Sequence, residues 1–329
     1  MEDLSALGLI GKSPAYVRAF SLIGKFATCD ATVLVQGETG TGKELAARAV
    51  HYLGARRAYP FIPLNCGALP DSLIENELFG HARGAFTDAR DAHRGLVASA
   101  EGGTLFLDEI EALSPKGQVV LLRFLQDGTY RPLGSHATVK GNVRVITASN
   151  VDLGILARTG RFRQDLLYRL AILTTQLPPL RQRSGDVSIL ARHFVRKFSR
   201  QYGRAEASIG AMSTELLDAH DWPGNVRELE NLIHRLYLLC DDAEILVRPE
   251  DLNGGCLCGD DASRPMASLS FAQAKARAIA RFESDYLRRV LGDAEGNVSL
   301  AARRAGKERR SFGKLLKKHR IDRSEYAAD

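Results

Sequence analysis

The run Gly37-Glu38-Thr39-Gly40-Thr41-Gly42-Lys43 fits G-x-x-x-x-G-K; it follows an apolar stretch, Thr32–Val35, and opens a helical pattern at Lys43. Glycines at this spacing let backbone N–H groups wrap a phosphate. A lysine then neutralises its β/γ oxygens, and the helix N-terminus adds its dipole. Glu44 follows, where a Ser or Thr often offers its hydroxyl to magnesium. A second apolar run, Thr104–Asp108, ends in two carboxylates, Asp108 and Glu109. Beside a phosphate loop, Asp108 suits magnesium, directly or through water, and Glu109 suits the polarisation of an attacking water. Together the two motifs predict hydrolysis of ATP or a similar nucleotide. Val143–Asn150 supplies a polar strand end, Thr147 to Asn150, that either orients the water or γ-phosphate or merely terminates the strand. Arg163 and Arg169 are either solvated or offered to a neighbouring subunit's phosphoryl transition state. Arg227, in Trp222-Pro-Gly-Asn-Val-Arg227, is a surface residue or a nucleotide sensor.

The elements that must position these groups are short apolar runs at Thr32–Val35, Phe61–Asn65, Thr104–Asp108, Val143–Asn150 and Ile172–Leu177, several of them separated by helical patterns. Continuous apolar strands with helices between them predict an α/β fold, a parallel sheet covered on both faces. After Pro178-Pro179 the pattern becomes wholly helical and a small helical domain ends near Leu252. The expected division is an α/β subdomain over 1–178, a helical subdomain over 179–252, a Gly/Asp/Ser-rich linker over 253–268 and a C-terminal all-α domain over 269–329.

Charge is unevenly placed. Between Ala301 and Arg323 there are ten Lys/Arg against two acids, while the whole chain of 329 residues carries +6. The body is therefore slightly acidic, and the basicity of the last part points to nucleic acid. There, small and apolar Val298, Ala301 and Ala302 precede a turn at Gly306 and a basic helix from about Arg310 to His319. That is the layout of a helix-turn-helix. Candidate DNA contacts are Arg309, Arg310, Ser311, Lys314, Lys317 and Lys318. Gly313 and Lys307 are unusual inside it. An apolar face at Phe271, Ala274, Ala278, Ile279, Phe282, Tyr286 and Val290 reads as a supporting helix. Five scattered cysteines, an N-terminus without a secretory pattern and no apolar run long enough to span a membrane predict a cytoplasmic protein. Cys256 and Cys258 read as free thiols in the linker.

One stretch resists this reading. ELFGHARGAFTDA, Glu77–Ala89, sets Phe86 among small residues in a glycine-bounded segment without helical or strand period. In order, GETGTGKE, ELFGHARGAFTDA, GGTLFLDE, FRQDLLYRL, LPPLRQR and WPGNVRELEN resemble the central AAA+ domain of the sigma-54-dependent transcriptional activators, from about Leu9 to Leu252. The basic tail is similar to the Fis-type DNA-binding domain of the same family. The resemblance implies a homo-oligomeric ring, a hexamer, with ATP between subunits. Glu44 is usual in that family. The resemblance makes Gly37–Glu44, Asn150 and Arg227 the ATP-binding set and Asp108 the magnesium residue. It makes Glu109 the catalytic carboxylate with Asn65 as its partner, and Arg163 and Arg169 fingers acting on the neighbour's ATP. Gly84, Ala85, Phe86, Thr87, Asp88 and Ala89 become the tip that contacts sigma-54 RNA polymerase holoenzyme, with the protein held on double-stranded upstream DNA in the nucleoid. Asp88 stands where the family carries glycine, which motivates an alternative: a DNA-binding regulator that binds ATP without engaging sigma-54. The chain begins close to the ATPase region, a short architecture that resembles the phage-shock operon activator and its relatives, so control by a separate inhibitory or co-activating protein, or by expression level, is expected.

Overall fold

In a computed structural model of the chain, the residues described are 8–85, 91–240, 244–252, 286–287, 290–291, 294, 297–307 and 309–318. They fall into two compact units, Met1–Gly255 and Cys256–Asp329. The strands in chain order are β1 (Val33–Gln36), β2 (Phe61–Asn65), β3 (Thr104–Asp108), β4 (Thr129–Tyr130), β5 (Val139–Lys140), β6 (Arg144–Ser149), β7 (Leu173–Gln176), β8 (Ser208–Ile209) and β9 (Glu244–Ile245).

Five strands form one sheet in the order β2-β3-β6-β1-β7, and every pairing in it is parallel. Alternate residues of a strand face opposite sides, and in the inner strands β1, β3 and β6 both sides are buried. Leu34, Leu105, Leu107 and Val145 pack with Ile74, Leu78, Leu121 and Leu166 from helices on one face. Val33, Val35, Phe106, Ile146 and Ala148 pack on the other face with Ile23 and Phe26 of helix Pro14–Ala27 and Ala46 and Val50 of helix Lys43–Tyr52. This is why the strands read as unbroken apolar runs.

The region after Pro179 packs Val187, Leu190, Phe194 and Phe198 of helix Asp186–Tyr202 against Trp222 and against Leu229, Ile233 and Tyr237 of helix Asn225–Leu239. It is not wholly helical, because β8 and β9 form a two-residue parallel pair. Two residues are too few to leave a period in the sequence.

This region is tied to the N-terminal segment by a buried ion pair. Asp186 and Arg183 are 2.9 Å apart, with side chains 0% and 2% exposed. Asp186 also accepts hydrogen bonds from Lys12 N–H, Ser13 N–H and the Ser13 hydroxyl. Arg183 donates to the Ile10 carbonyl and lies 3.8 Å over the Tyr16 ring. Burial pushes the Tyr16 hydroxyl up to about 12.

In the second unit, helices Val298–Arg304 and Arg309–Lys318 flank Gly306, and Ala301, Ala302, Phe312 and Leu316 share a small core with Leu287 and Leu291. Arg309, Arg310, Ser311 and Lys314 face solvent. Nothing stands within 4 Å of a Cβ built on Gly313, so its glycine is not needed for space. Tyr286 is exposed rather than on the apolar face; Leu287 takes that place. The side chains of Lys317 and Lys318, the residues Phe271–Phe282, the linker over 253–268 with Cys256 and Cys258, and the loop tip over 86–90 lie outside the described residues.

Candidate active site

Because the strands are parallel, their carboxyl ends meet along one edge, which brings Gly37, Asn65, Asp108 and Asn150 together across β1, β2, β3 and β6. This edge, outside the carboxyl ends of a parallel sheet, is where such folds bind ligands. Lys43 begins its helix there and is only 7% exposed. Its Nζ donates to the Gly37 carbonyl at 2.8 Å, the Glu38 carbonyl at 3.0 Å and Asn150 Oδ1 at 2.5 Å. Burial holds its ammonium below the usual lysine range, against the pull of Asp108 and Glu111. The cation is thus folded over its own loop, in which Gly37 N–H is taken by the Ser149 carbonyl at 3.2 Å and Thr41 N–H by the Glu38 carbonyl at 3.3 Å. Thr41 closes that loop through its hydroxyl on the Glu38 carbonyl at 2.7 Å. The Glu44 side chain turns to solvent and pairs with Arg48 at 2.7 Å, leaving only its backbone amide for an anion.

Asp108 ends β3, and burial raises its carboxyl above the usual aspartate range while Lys43 opposes the rise. Glu109 has a left-handed backbone, φ 53°. For a side chain other than glycine this costs about 1–2 kcal/mol. The turn carries its carboxylate over Gly67, where a Cβ would collide with Glu109 Oε2 and meet Asn65 Oδ1 at 3.3 Å. Asn65 and Glu109 therefore flank one glycine. Asn65 Oδ1 accepts from Gly67 N–H at 2.8 Å and Ala68 N–H at 3.2 Å, which leaves its Nδ2 as the group that could donate to the Glu109 carboxylate.

Arg163 and Arg169 sit at the two ends of helix Gln164–Leu170 and are exposed. Arg163 pairs with Asp165 at 2.8 Å. Arg227 is exposed on the helical region, and its charge reaches Lys43.

The residue that joins the two regions is one the sequence did not single out. Asn225, fully buried with φ 54°, donates from Nδ2 to the Thr39 carbonyl at 3.0 Å and to Glu38 at 3.2 Å. Its Oδ1 accepts Leu180 N–H at 2.7 Å. Beside it Val226 N–H donates to the Gly40 carbonyl at 3.0 Å. Gly40, φ 80°, has no room for a Cβ, which would run into the Gly224 carbonyl. Arg181 adds a half-exposed pair with Glu38 that holds the Glu38 carboxyl below its usual value. Asn225→Ala strands the buried Leu180 N–H, a loss of about 1–3 kcal/mol. It is expected to lower the denaturation midpoint and weaken nucleotide binding together, read by chemical denaturation and by titration with a fluorescent ADP.

At the stem of the loop, His81 pairs antiparallel with His93 and also bridges to Leu133. Gly80, φ 74°, admits no Cβ because the His93 carbonyl occupies its place. The close backbone approach explains Gly80, whereas Gly84 has open space around it and is favoured by its left-handed backbone, φ 78°. Ala85 lies against Gly134, in the turn between β4 and β5.

A family model described as the sigma-54 interaction domain matches residues 9–176, the whole sheet with its edge of functional groups. The chain belongs to this family, that of the sigma-54-dependent activators. A second, the AAA+ ATPase lid domain, matches residues 181–263 and takes in Asn225 and Arg227. The transcriptional regulatory protein GlrR of Escherichia coli K12 is 40% identical over 318 residues, covering 97% of this chain and 69% of the relative. The Nif-specific regulatory protein of Azotobacter vinelandii is 45% identical over 260 residues, 79% of this chain and 49% of its own. Among solved structures, NtrX from Brucella abortus in complex with ADP superposes with a TM-score of 0.72 at 31% identity, over 95% of this chain and 69% of that one. The chain thus carries an α/β AAA+ sigma-54 interaction domain followed by a helical lid domain. Among the described residues no helix is long and apolar enough to cross a membrane.

Proposed function

We propose that the chain hydrolyses ATP and uses the energy to remodel sigma-54 RNA polymerase holoenzyme at a promoter, working as a ring of like subunits held on upstream DNA. The observation that carries this reading is Lys43, clamped between its own loop and Asn150 beside the Asp108–Glu109 strand end, inside a sigma-54 interaction domain. The NtrX structures with ADP and with ATP support the choice of nucleotide. In this reading the amides of Gly37–Glu44 bind the phosphates, Lys43 neutralises them, Asn150 and Arg227 orient them, and Glu109 takes the proton of the attacking water. Asn65 steadies Glu109 through their shared glycine, and Arg163 and Arg169 serve the adjacent subunit's site. The donor set suits magnesium, because Asp108 offers a carboxylate at the end of β3, on the same sheet edge as the phosphate loop. When bound it would neutralise phosphate oxygens.

For the rest of the chain, the finer divisions at 178, 252 and 268 are part of the same proposal. The C-terminal helices act as a helix-turn-helix that places Arg309, Arg310, Ser311, Lys314, Lys317 and Lys318 against DNA, the exposure of Arg309, Arg310, Ser311 and Lys314 being the support. Gly84–Ala89 forms the sigma-54 contact. A nucleoid location follows from that role.

Asp88, where the family carries glycine, favours a second reading, a regulator that binds ATP without engaging sigma-54. Open-complex formation on a sigma-54 promoter separates the two. The activator reading requires promoter opening that depends on ATP hydrolysis; ATPase activity without opening supports the second. Asp88→Gly is expected to leave opening equal or up to about threefold higher, since it restores glycine freedom and removes one negative charge per subunit. A total loss of opening in that variant would show a positive role for the aspartate.

A further inference from the structure

Glu111 has no part in the mechanism so far. It lies in the short 3-10 turn Ile110–Ala112 that follows Glu109, and it is partly buried. Its Oε1 accepts the Asn150 backbone N–H at 2.9 Å. Asn150 is the first residue beyond β6, and the β3–β6 pairing ends at Leu107 and Thr147. The sheet therefore offers Asn150 no partner on its β3 side, and the Glu111 side chain supplies one. Asn150 Oδ1 in turn accepts a hydrogen bond from the Lys43 ammonium. A continuous path runs from the turn after β3, through the end of β6, to the cation of the phosphate loop.

The other carboxylate oxygen, Oε2, is buried and hydrogen-bonds to no group among the described residues. A carboxylate left half-paired inside a protein is destabilising. A structural link to one amide would be made at less expense by a neutral acceptor. The charge also reaches Lys43, where it favours the ammonium form, and Asp108. Glu111 thus sits among the charged groups of the site and holds Asn150, the neutral residue that bonds one of them.

We propose that Glu111 is a positioning residue for ATP hydrolysis: it fixes the Asn150 backbone so that the Asn150 carboxamide stays aimed at Lys43 and the phosphate it serves. The inference rests on the ATPase reading above. Glu111→Ala is expected to lower kcat about 10- to 100-fold, the scale of a small misplacement in a reacting site, with KM for ATP changed less than about threefold. Glu111→Gln keeps an acceptor oxygen and should restore most of kcat. Glu111→Asp keeps the charge but withdraws the oxygen by one methylene, and should behave like the alanine variant. In an Asn150→Ala background the Glu111→Ala change should cost nothing further, since its effect passes through that carboxamide.

One readout needs no turnover. In the nucleotide-free protein, hydrogen exchange over a peptide spanning 145–151 should quicken in Glu111→Ala and Glu111→Asp and stay near wild type in Glu111→Gln. An unchanged kcat in Glu111→Ala, full additivity with Asn150→Ala, a defect confined to KM, a glutamine variant as poor as alanine, or unchanged exchange would each overturn the proposal. Absence of hydrolysis by the wild-type protein would instead sink the ATPase reading, and the exchange result would still decide whether Glu111 holds Asn150.

Discussion

Lys43→Ala is expected to reduce ATP hydrolysis at least about 100-fold, the scale on which one preorganised charge at a phosphoryl-transfer site is felt. The reason lies in how the lysine is held. Its ammonium makes three hydrogen bonds and is nearly excluded from solvent. It is also a cation facing Asp108, Glu109 and Glu111, which all favour its charge. Alanine removes that cation and leaves the acids opposing an incoming polyphosphate, so nucleotide affinity should fall together with turnover. Arginine is not a conservative substitute, because its planar fork cannot occupy the narrow space between two loop carbonyls and a carboxamide. Phosphate release with saturating ATP, alongside equilibrium binding of a fluorescent ADP, measures both effects. Retained hydrolysis in the alanine variant would remove Lys43 from the mechanism.

Asp186→Ala is expected to have the largest effect on stability, about 3–5 kcal/mol. The substitution leaves the Arg183 guanidinium buried without its counter-charge and deprives Lys12 N–H, Ser13 N–H and the Ser13 hydroxyl of their acceptor. A loss of that size should lower the thermal midpoint of the first unit by about 10 °C or more. Asp186→Asn keeps part of the hydrogen bonding and should fall between the two. Paired replacement of Arg183 and Asp186 by Met and Leu should recover much of the loss, since no charge is then stranded. Differential scanning calorimetry of the four proteins tests the series, and an alanine variant within a degree or two of wild type would contradict it.

The sheet was legible because buried parallel strands write themselves as short apolar runs. Phe61–Asn65 and Thr104–Asp108 match their strands residue for residue, β6 and β7 begin and end one residue inside the predicted runs, and β1 is shifted one residue along from Thr32–Val35. The phosphate loop and the acid pair were legible because both are local in sequence. Arg163 and Arg169 gained a role only through resemblance, since nothing in a six-residue spacing says what an exposed arginine touches.

Asn225, Asp186 and Glu111 could not be found in the same way. Asn225 meets Glu38 across 187 residues, Asp186 meets Ser13 across 173, and Glu111 meets Asn150 across 39. Each bond is set by tertiary packing and leaves no period. A faint local sign existed for Asn225, because asparagine after Pro-Gly readily takes the left-handed backbone it adopts here. For Glu111 there was none beyond a third acid near two others.

The hydrogen bond from Val226 N–H to the Gly40 carbonyl and the bridge through Asn225 mean that the phosphate cradle belongs to two bodies at once. Any anion that the cradle prefers in one geometry must, by thermodynamic linkage, bias the orientation of the lid by the same free energy. Affinity and lid angle are then one coordinate read in two units. A mutation that loosens the lid would register as weaker binding even if it never came near the nucleotide.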